Sequence, residues 1–125
     1  MVGASGDEHL EELVLQDTRT GQRTPVPASW LFVFIGAQPH TAWLGDDVVR
    51  DGKGFLVTGP DLLDQQGHPP AGWPLSREPY LLESSLPGVF VAGDVRAASV
   101  KRVASAVGEG ALAETLVHRH LEESR

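Results

Sequence analysis

The feature that most constrains this chain is a short apolar run that ends on a glycine and an aspartate and precedes a long helical pattern. Residues 89–92 read Val-Phe-Val-Ala, and Gly93 and Asp94 follow directly. This run predicts a buried strand that ends in a turn. From about residue 100 to residue 122, apolar side chains recur at helical spacing, which predicts a helix with one face packed on a sheet. These apolar positions are Val103, Ala106, Val107, Ala111, Leu112 and Leu116.

Gly93 and Asp94 also suggest a ligand. Glycine has no Cβ, so a ligand can approach its backbone closely, and ligands of open α/β sheets bind beyond the carboxyl ends of strands. The ionised Asp94 carboxylate only accepts hydrogen bonds and therefore suits a ligand hydroxyl. The free N–H groups at the start of the following helix favour negative charge. An ordinary turn explains the two residues alone more simply, so both interpretations stay open at this point.

Further elements come before this run. Residues 8–27 alternate weakly around a polar Thr20-Gly21 turn, which predicts a β-hairpin. Residues 30–36 are almost entirely apolar and predict a strand buried on both faces. Residues 54–58 predict a further short strand. This order of elements indicates a mixed α/β fold with too few elements for a complete doubly wound domain.

A Pro- and Gly-rich stretch separates the last two predicted strands. Residues 59–80 show no periodicity, and a long segment of this kind is either functional or a mobile excursion. We expect a mobile, tolerated surface insertion here. The alternative is a surface that faces a partner at Trp73 and Tyr80.

Composition excludes several classes of function. The 125 residues suit one domain, and 41% hydrophobic content suffices for a core. The net charge of -7 argues against a nucleic-acid partner. Without cysteine the chain has no disulfide and no thiolate metal site. No signal peptide and no run near the roughly 20 apolar residues of a membrane span is present, so we expect a cytoplasmic protein without a membrane partner.

Other candidate residues have simpler explanations. His118 and His120 point to different helix faces, which argues against a shared metal. Trp30 and Trp43 are expected to pack in the core or against a neighbouring domain. The acidic pairs 46–47 and 122–123 are expected to be solvated charge.

Two motifs resemble the thioredoxin reductase family of FAD-dependent pyridine nucleotide-disulfide oxidoreductases. Residues 84–96 together with residues 100–110 resemble the C-terminal flavin-binding motif of that family. Residues 32–36 with Pro39-His40-Thr41 resemble its returning strand and Ile-Gly-x-x-Pro-Asn-Thr turn, with His40 where Asn is usual. The resemblance covers roughly residues 8–122.

The resemblance implies an FAD site. Asp94 would bind the ribityl chain of FAD, and Gly93 would allow its close approach. Lys101, Arg102 and Val103 would meet the pyrimidine side of the flavin, mainly through backbone groups. Family members often carry Arg-Gln-Ala at these three positions. The Lys-Arg-Val of this chain departs from that pattern, which affects the expected side-chain roles and leaves the expected backbone role intact. No catalytic residue and no metal ligand is expected in this chain.

The resemblance also implies a domain organisation. Residues 1–30 would be a β-hairpin remnant of the inserted NADPH-binding domain. Residues 31–125 would be the C-terminal half of a split, Rossmann-like, three-layer FAD-binding domain. Gly108-Glu-Gly-Ala-Leu-Ala113 fits a dinucleotide fingerprint only as a string, since no strand precedes it. Close helix packing explains these glycines better.

The implied function is that of an enzyme part. The parent would transfer electrons from NADPH through FAD to a protein disulfide, and this chain alone would be inactive. Its partners would be the missing N-terminal FAD/NADPH portion, a thioredoxin-like protein and a second copy in a homodimer. The alternatives are a non-catalytic fragment or partner-binding half-domain, and part of a cysteine-free flavoprotein resembling ferredoxin-NADP reductases.

Overall fold

A computed structural model describes residues 1–124 and divides the chain into two compact units, residues 1–36 and residues 37 onward. The first unit holds strands β1 (Gly3–Ser5), β2 (Glu12–Gln16) and β3 (Arg23–Pro27). The second holds three 3-10 turns, Ala42–Leu44, Gly59–Leu62 and Gly93–Val95, and helix α1 (Val103–Glu123).

The first unit is an antiparallel sheet in the order β1-β2-β3. Leu13 of β2 is buried and pairs with Val26 of β3. The Asp17 carboxylate closes the turn by accepting from the backbone N–H groups of Arg19 and Thr20, at 2.7 and 2.9 Å. The predicted hairpin is confirmed, and β1 is an addition that the weak N-terminal pattern did not indicate.

The predicted buried strand at residues 30–36 is wrong. The segment has no regular secondary structure, and the exposed fractions are 80% for Trp30 and 90% for both Phe34 and Ile35. Burial on both faces needs neighbouring strands and a covering layer. The described residues of the first unit provide neither, because its sheet ends with β3. The expectation that Trp30 packs in a core is wrong for the same reason.

The core of the second unit consists of Val48, Leu56 and Val91. Leu56 donates its N–H to the carbonyl of Val95 at 3.0 Å and accepts from the N–H of Ala97 at 2.7 Å. The described chain around it forms only isolated bridges, which are Arg50 to Leu56, Leu56 to Arg96 and Glu83 to Phe90. The predicted strands at residues 54–58 and 89–92 are therefore wrong as strands. The burial predicted at their centres is confirmed at Leu56 and Val91.

Helix α1 confirms the predicted helix, but its apolar face does not pack as expected. No side chain of the described helix is buried, and Val103 and Val107 are 83% and 68% exposed. The half-buried positions share only Ala106 and Leu116 with the predicted apolar face, and several of the others are polar. These positions are Ser105, Ala106, Glu109, Ala113, Leu116 and His120. The helix thus contacts its own unit through one face and leaves an apolar face open.

A Cβ added at Gly108 or Gly110 would meet nothing within 4 Å among the described residues, so the close packing expected at these glycines is absent there. Trp43 is 80% exposed. The expectation that Trp43 packs in the core is therefore wrong, and its packing against a neighbouring domain stays a prediction. Along the described chain, no helix combines the length and the apolar character that crossing a membrane requires.

Candidate functional site

The turn Gly93–Val95 places Gly93 directly against α1. Gly93 has φ 79°, a conformation that favours glycine. A Cβ built on it would lie 3.3 Å from the Cβ of Ala106 in the helix. The close neighbour that the structure shows at Gly93 is thus the helix, and its predicted role toward a ligand stays a prediction.

Asp94 lies at the mouth of a cleft. It is exposed, and no hydrogen bond or ion pair engages its carboxylate among residues 1–124. The cleft has a volume of about 260 Å³. Its lining combines the turn that follows residue 36 with the Gly-Asp turn, and consists of Ala37, Gln38, Pro39, His40, Phe55, Asp94 and Val95. Both motifs singled out in the sequence therefore border one cavity.

Lys101 is held within the loop that leads to the helix. Its Nζ donates to the carbonyl of Arg96 at 2.9 Å and to Ser99 Oγ at 2.7 Å, and lies 4.2 Å from the centre of the Phe55 ring. These contacts fix the ammonium group beside a residue of the Asp94 cleft. Lys101 acts here as a structural cation of the loop.

Arg102 and Val103 form the start of the helix. Both are exposed, and Arg102 folds back to donate from Nη1 to the carbonyl of Lys101 at 2.9 Å. No side chain in the described structure caps the helix at Arg102. The first N–H groups of α1 remain available to an anionic or polar group.

The structure adds a carboxylate that sequence reasoning missed. Glu109 Oε2 accepts from the Gly93 N–H at 2.7 Å and from Arg96 Nε at 3.2 Å, and Glu109 Oε1 accepts from Arg96 Nη2. Both side chains are only 16% exposed. The Arg96 hydrogen bonds, followed by that of Gly93, lower the pKa of Glu109 against the opposing effect of burial. Arg96 and Glu109 are thirteen positions apart. No local sequence pattern therefore predicts that they pair.

A second missed cluster ties the 59–80 segment to the end of the helix. Glu83 is fully buried and binds Arg77 through two hydrogen bonds of 2.6 and 3.0 Å, and it also accepts from the N–H groups of Tyr80 and Gly88. Burial would raise the pKa of Glu83, but the Arg77 and backbone hydrogen bonds outweigh it and lower the pKa. Arg77 Nη2 also lies 2.9 Å from His120 Nδ1.

Aromatic residues complete this cluster. Trp73 donates from Nε1 to the carbonyl of Arg77 at 2.7 Å. The guanidinium carbons of Arg77 and Arg119 lie 3.9 and 4.9 Å from the centre of the Tyr80 ring. Trp73 and Tyr80 thus hold the segment in place.

Glu123, expected to be solvated, contacts Arg77 Nε at 3.2 Å and Arg119 Nε at 3.3 Å.

His118 and His120 lie in different surroundings. His118 is exposed near Glu114, whereas His120 packs against Phe90 with its ring edge. Within the described residues, no group of three or more histidine, aspartate or glutamate side chains is arranged to hold a metal ion.

Comparisons with known proteins relate the chain to one family. No protein-family model matches the chain. Over 108 residues it is 31% identical to the thioredoxin reductase of Treponema pallidum, a match that covers 86% of this chain and 28% of the relative. A thioredoxin reductase structure from Streptococcus pyogenes aligns with a TM-score of 0.65 at 26% identity, over 96% of this chain and 33% of that one. The chain is related to the C-terminal part of the thioredoxin reductase family.

Other relatives carry different names. The chain is 25% identical over 116 residues to a 34.2 kDa protein in the rubredoxin operon of Clostridium pasteurianum, with coverage of 93% and 31%. It is 32% identical over 109 residues to a component of the alkyl hydroperoxide reductase of Pseudomonas aeruginosa, with coverage of 87% and 17%. The chain spans less than a third of the length of these curated relatives. The family resemblance seen in the sequence is confirmed, and the mixed α/β class fits.

Proposed function

We propose that the chain is the C-terminal FAD-binding segment of a thioredoxin-reductase-like flavoprotein. Its parent would transfer electrons from NADPH through FAD to a protein disulfide. The observation that carries the proposal is the cleft that Asp94 shares with Pro39 and His40, because it joins the two sequence motifs of the family at one cavity. The relatives' names support a reductase as the parent.

The residues at the cleft suit part of the cofactor. The Asp94 carboxylate is an exposed acceptor, as a ribityl hydroxyl requires, and the cleft of about 260 Å³ lies below the 300–1,000 Å³ of typical cofactor pockets. The chain covers only 28% of the Treponema pallidum relative and 33% of the Streptococcus pyogenes structure. This partial coverage supports a half-site, whose remaining surface would come from the rest of the parent.

Each residue has a defined task in this mechanism. FAD, when bound, would supply the two-electron redox chemistry. Asp94 would hold a hydroxyl group, and the first N–H groups of α1 would favour negative charge as it develops on the ligand. Lys101 would keep the loop between Arg96 and the helix fixed through its contacts with the Arg96 carbonyl and Ser99.

The domain assignment is part of the same proposal. Residues 1–30 would be a hairpin remnant of the NADPH-binding domain, and residues 31–125 the C-terminal half of the split FAD-binding domain. The exposed apolar run at residues 30–35 and the open face of α1 support a missing N-terminal portion that covers them. A thioredoxin-like acceptor, a homodimer and a cytoplasmic location belong to this proposal as well.

A chimera tests the proposal directly. In it, this chain replaces the matching part of the Treponema pallidum thioredoxin reductase, and the unaltered enzyme sets the flavin content for comparison. We expect the purified chimera to be yellow with a bound-flavin absorbance spectrum, and the chain alone to retain no FAD. A folded but colourless chimera, or a yellow chain alone, would contradict the half-site.

A further inference from the structure

We infer that Glu109 is a positioning residue for the flavin site, because it fixes the turn that carries Asp94 against the helix. The inference rests on the proposed FAD-binding function and deepens it. It concerns a helix residue that does not line the cleft, so any effect on the ligand acts through the groups that Glu109 holds in place.

The contacts of Glu109 reach both ends of the turn. Its Oε2 accepts from the Gly93 N–H at 2.7 Å on one side of Asp94. On the other side it accepts from Arg96 Nε at 3.2 Å, and Oε1 binds Arg96 Nη2. One carboxylate therefore holds Gly93, directly before Asp94, and Arg96, two residues after it.

The helix also limits the turn sterically. Ala106 and Glu109 are three residues apart and share a face of α1. Ala106 approaches Gly93 so closely that an added Cβ would lie at 3.3 Å from its own Cβ. The turn thus lies directly on this face, and the Glu109 hydrogen bonds fix it there.

A third contact extends this fixation toward the helix start. Lys101 Nζ donates to the Arg96 carbonyl, and Arg96 is itself bound to Glu109. Asp94 and the first N–H groups of α1, which are the two parts expected to meet the cofactor, are thereby linked through Arg96. A displaced Glu109 would let these two parts move relative to each other.

Two substitutions separate positioning from general stability. In the chimera, Glu109→Gln keeps an oxygen that can accept from the Gly93 N–H but loses the negative charge that pairs with Arg96. Glu109→Leu removes both the hydrogen-bond acceptor and the negative charge. Glu114→Gln, on the exposed side of the same helix, is the matched control. Glu109→Asp, which keeps the charge but draws the carboxylate back from Gly93, serves if the leucine variant does not fold.

The measurements are the FAD dissociation constant, the visible circular dichroism of bound flavin at saturation, and the thermal midpoint of the flavin-free form. We expect Glu109→Leu to bind FAD about tenfold more weakly than Glu109→Gln, the usual effect of one hydrogen bond. We also expect an altered flavin spectrum for the leucine variant only. Glu109→Asp should also weaken FAD binding, and Glu114→Gln should leave all three measurements unchanged.

Two other outcomes would overturn either the positioning role of Glu109 or the proposed function. If Glu109→Leu and Glu109→Gln both lower the thermal midpoint but bind FAD equally with an unaltered spectrum, Glu109 is only a structural residue. If the unaltered chimera folds and binds no FAD, the proposed function fails and the inference fails with it.

Discussion

At the scale of single residues, Asp94 is the side chain on which the proposed function depends most. We expect Asp94→Ala in the chimera to weaken FAD binding by about 1.5–3 kcal/mol, because a ligand hydroxyl loses its charged acceptor. Fluorescence titration of FAD into the flavin-free protein measures this loss. The control is Asp46→Ala, which removes an exposed aspartate that does not line the cleft. Equal affinities for both variants would exclude Asp94 as a ligand.

Glu83 is the residue whose loss should affect folding most. Removing one partner of a buried ion pair typically costs about 3–5 kcal/mol, and Glu83 is fully buried against Arg77. We expect Glu83→Gln to lower the free energy of unfolding by an amount that approaches this range. The loss should be smaller than for a fully buried pair, because Arg77 is partly exposed to solvent. Urea denaturation monitored by circular dichroism measures it. The exposed Glu122→Gln serves as control, and a loss no larger than that of the control would contradict the prediction.

The same residue predicts a pH dependence with a defined sign. The pKa of Glu83 is lower in the folded chain than its ordinary value of 4.5. Its contribution to stability is therefore complete above the unfolded pKa and is lost as pH falls through the folded pKa. We expect the free energy difference between the native chain and Glu83→Gln to be constant near neutrality and to shrink below about pH 4.5. A difference that grows on acidification would contradict the lowered pKa.

At the scale of elements, helix α1 has one face in contact with its own unit and one apolar face open to solvent. Substitutions at exposed positions usually change stability within about 0.5 kcal/mol. We therefore expect Val107→Ser to leave the urea midpoint of the chain alone unchanged but to lower that of the chimera, where the missing portion would cover Val107. The control is Thr115→Ser, an exposed position of the same helix. Equal effects in both proteins would show that this face stays uncovered.

The elements also show what sequence can predict. The hairpin and the helix were predicted because a polar turn and a 3.6-residue period are local signals. Residues 30–36 and 89–92 are predicted as strands from apolar runs, yet a regular strand needs a continuous partner. Residues 89–92 meet residues 82–84 only through the isolated Glu83–Phe90 bridge and the hydrogen bonds beside it. Gly93 and Asp94 are singled out by the residues themselves, whereas Pro39 and His40 are singled out by the family resemblance. Glu109 and Glu83 were missed because their partners, Arg96 and Arg77, are defined by tertiary contacts.

At the scale of the whole molecule, the exposed tryptophans provide a test of the proposed N-terminal portion. Trp30 and Trp43 are each 80% exposed in the structure. We expect the fluorescence of the chain alone to be red-shifted and readily quenched by acrylamide, and that of Trp30 in the chimera to be blue-shifted and protected. Trp43→Phe and Trp30→Phe variants assign the signals. A protected Trp30 in the monomeric chain alone would contradict the exposed run at residues 30–35.

The ion pair between Arg77 and Glu83 has a practical consequence for labelling the protein. It anchors the long segment near its C-terminal end. Earlier in the same segment, residues 64–68 form a separate turn. In this turn, Asp64 Oδ1 accepts hydrogen bonds from the N–H groups of Gln66 and His68, at 2.8 Å each. Exposed, locally closed loop tips tolerate added sequence well. Residues 65–67 therefore offer a permissive position for an epitope or a fluorophore that leaves the Asp94 cleft undisturbed.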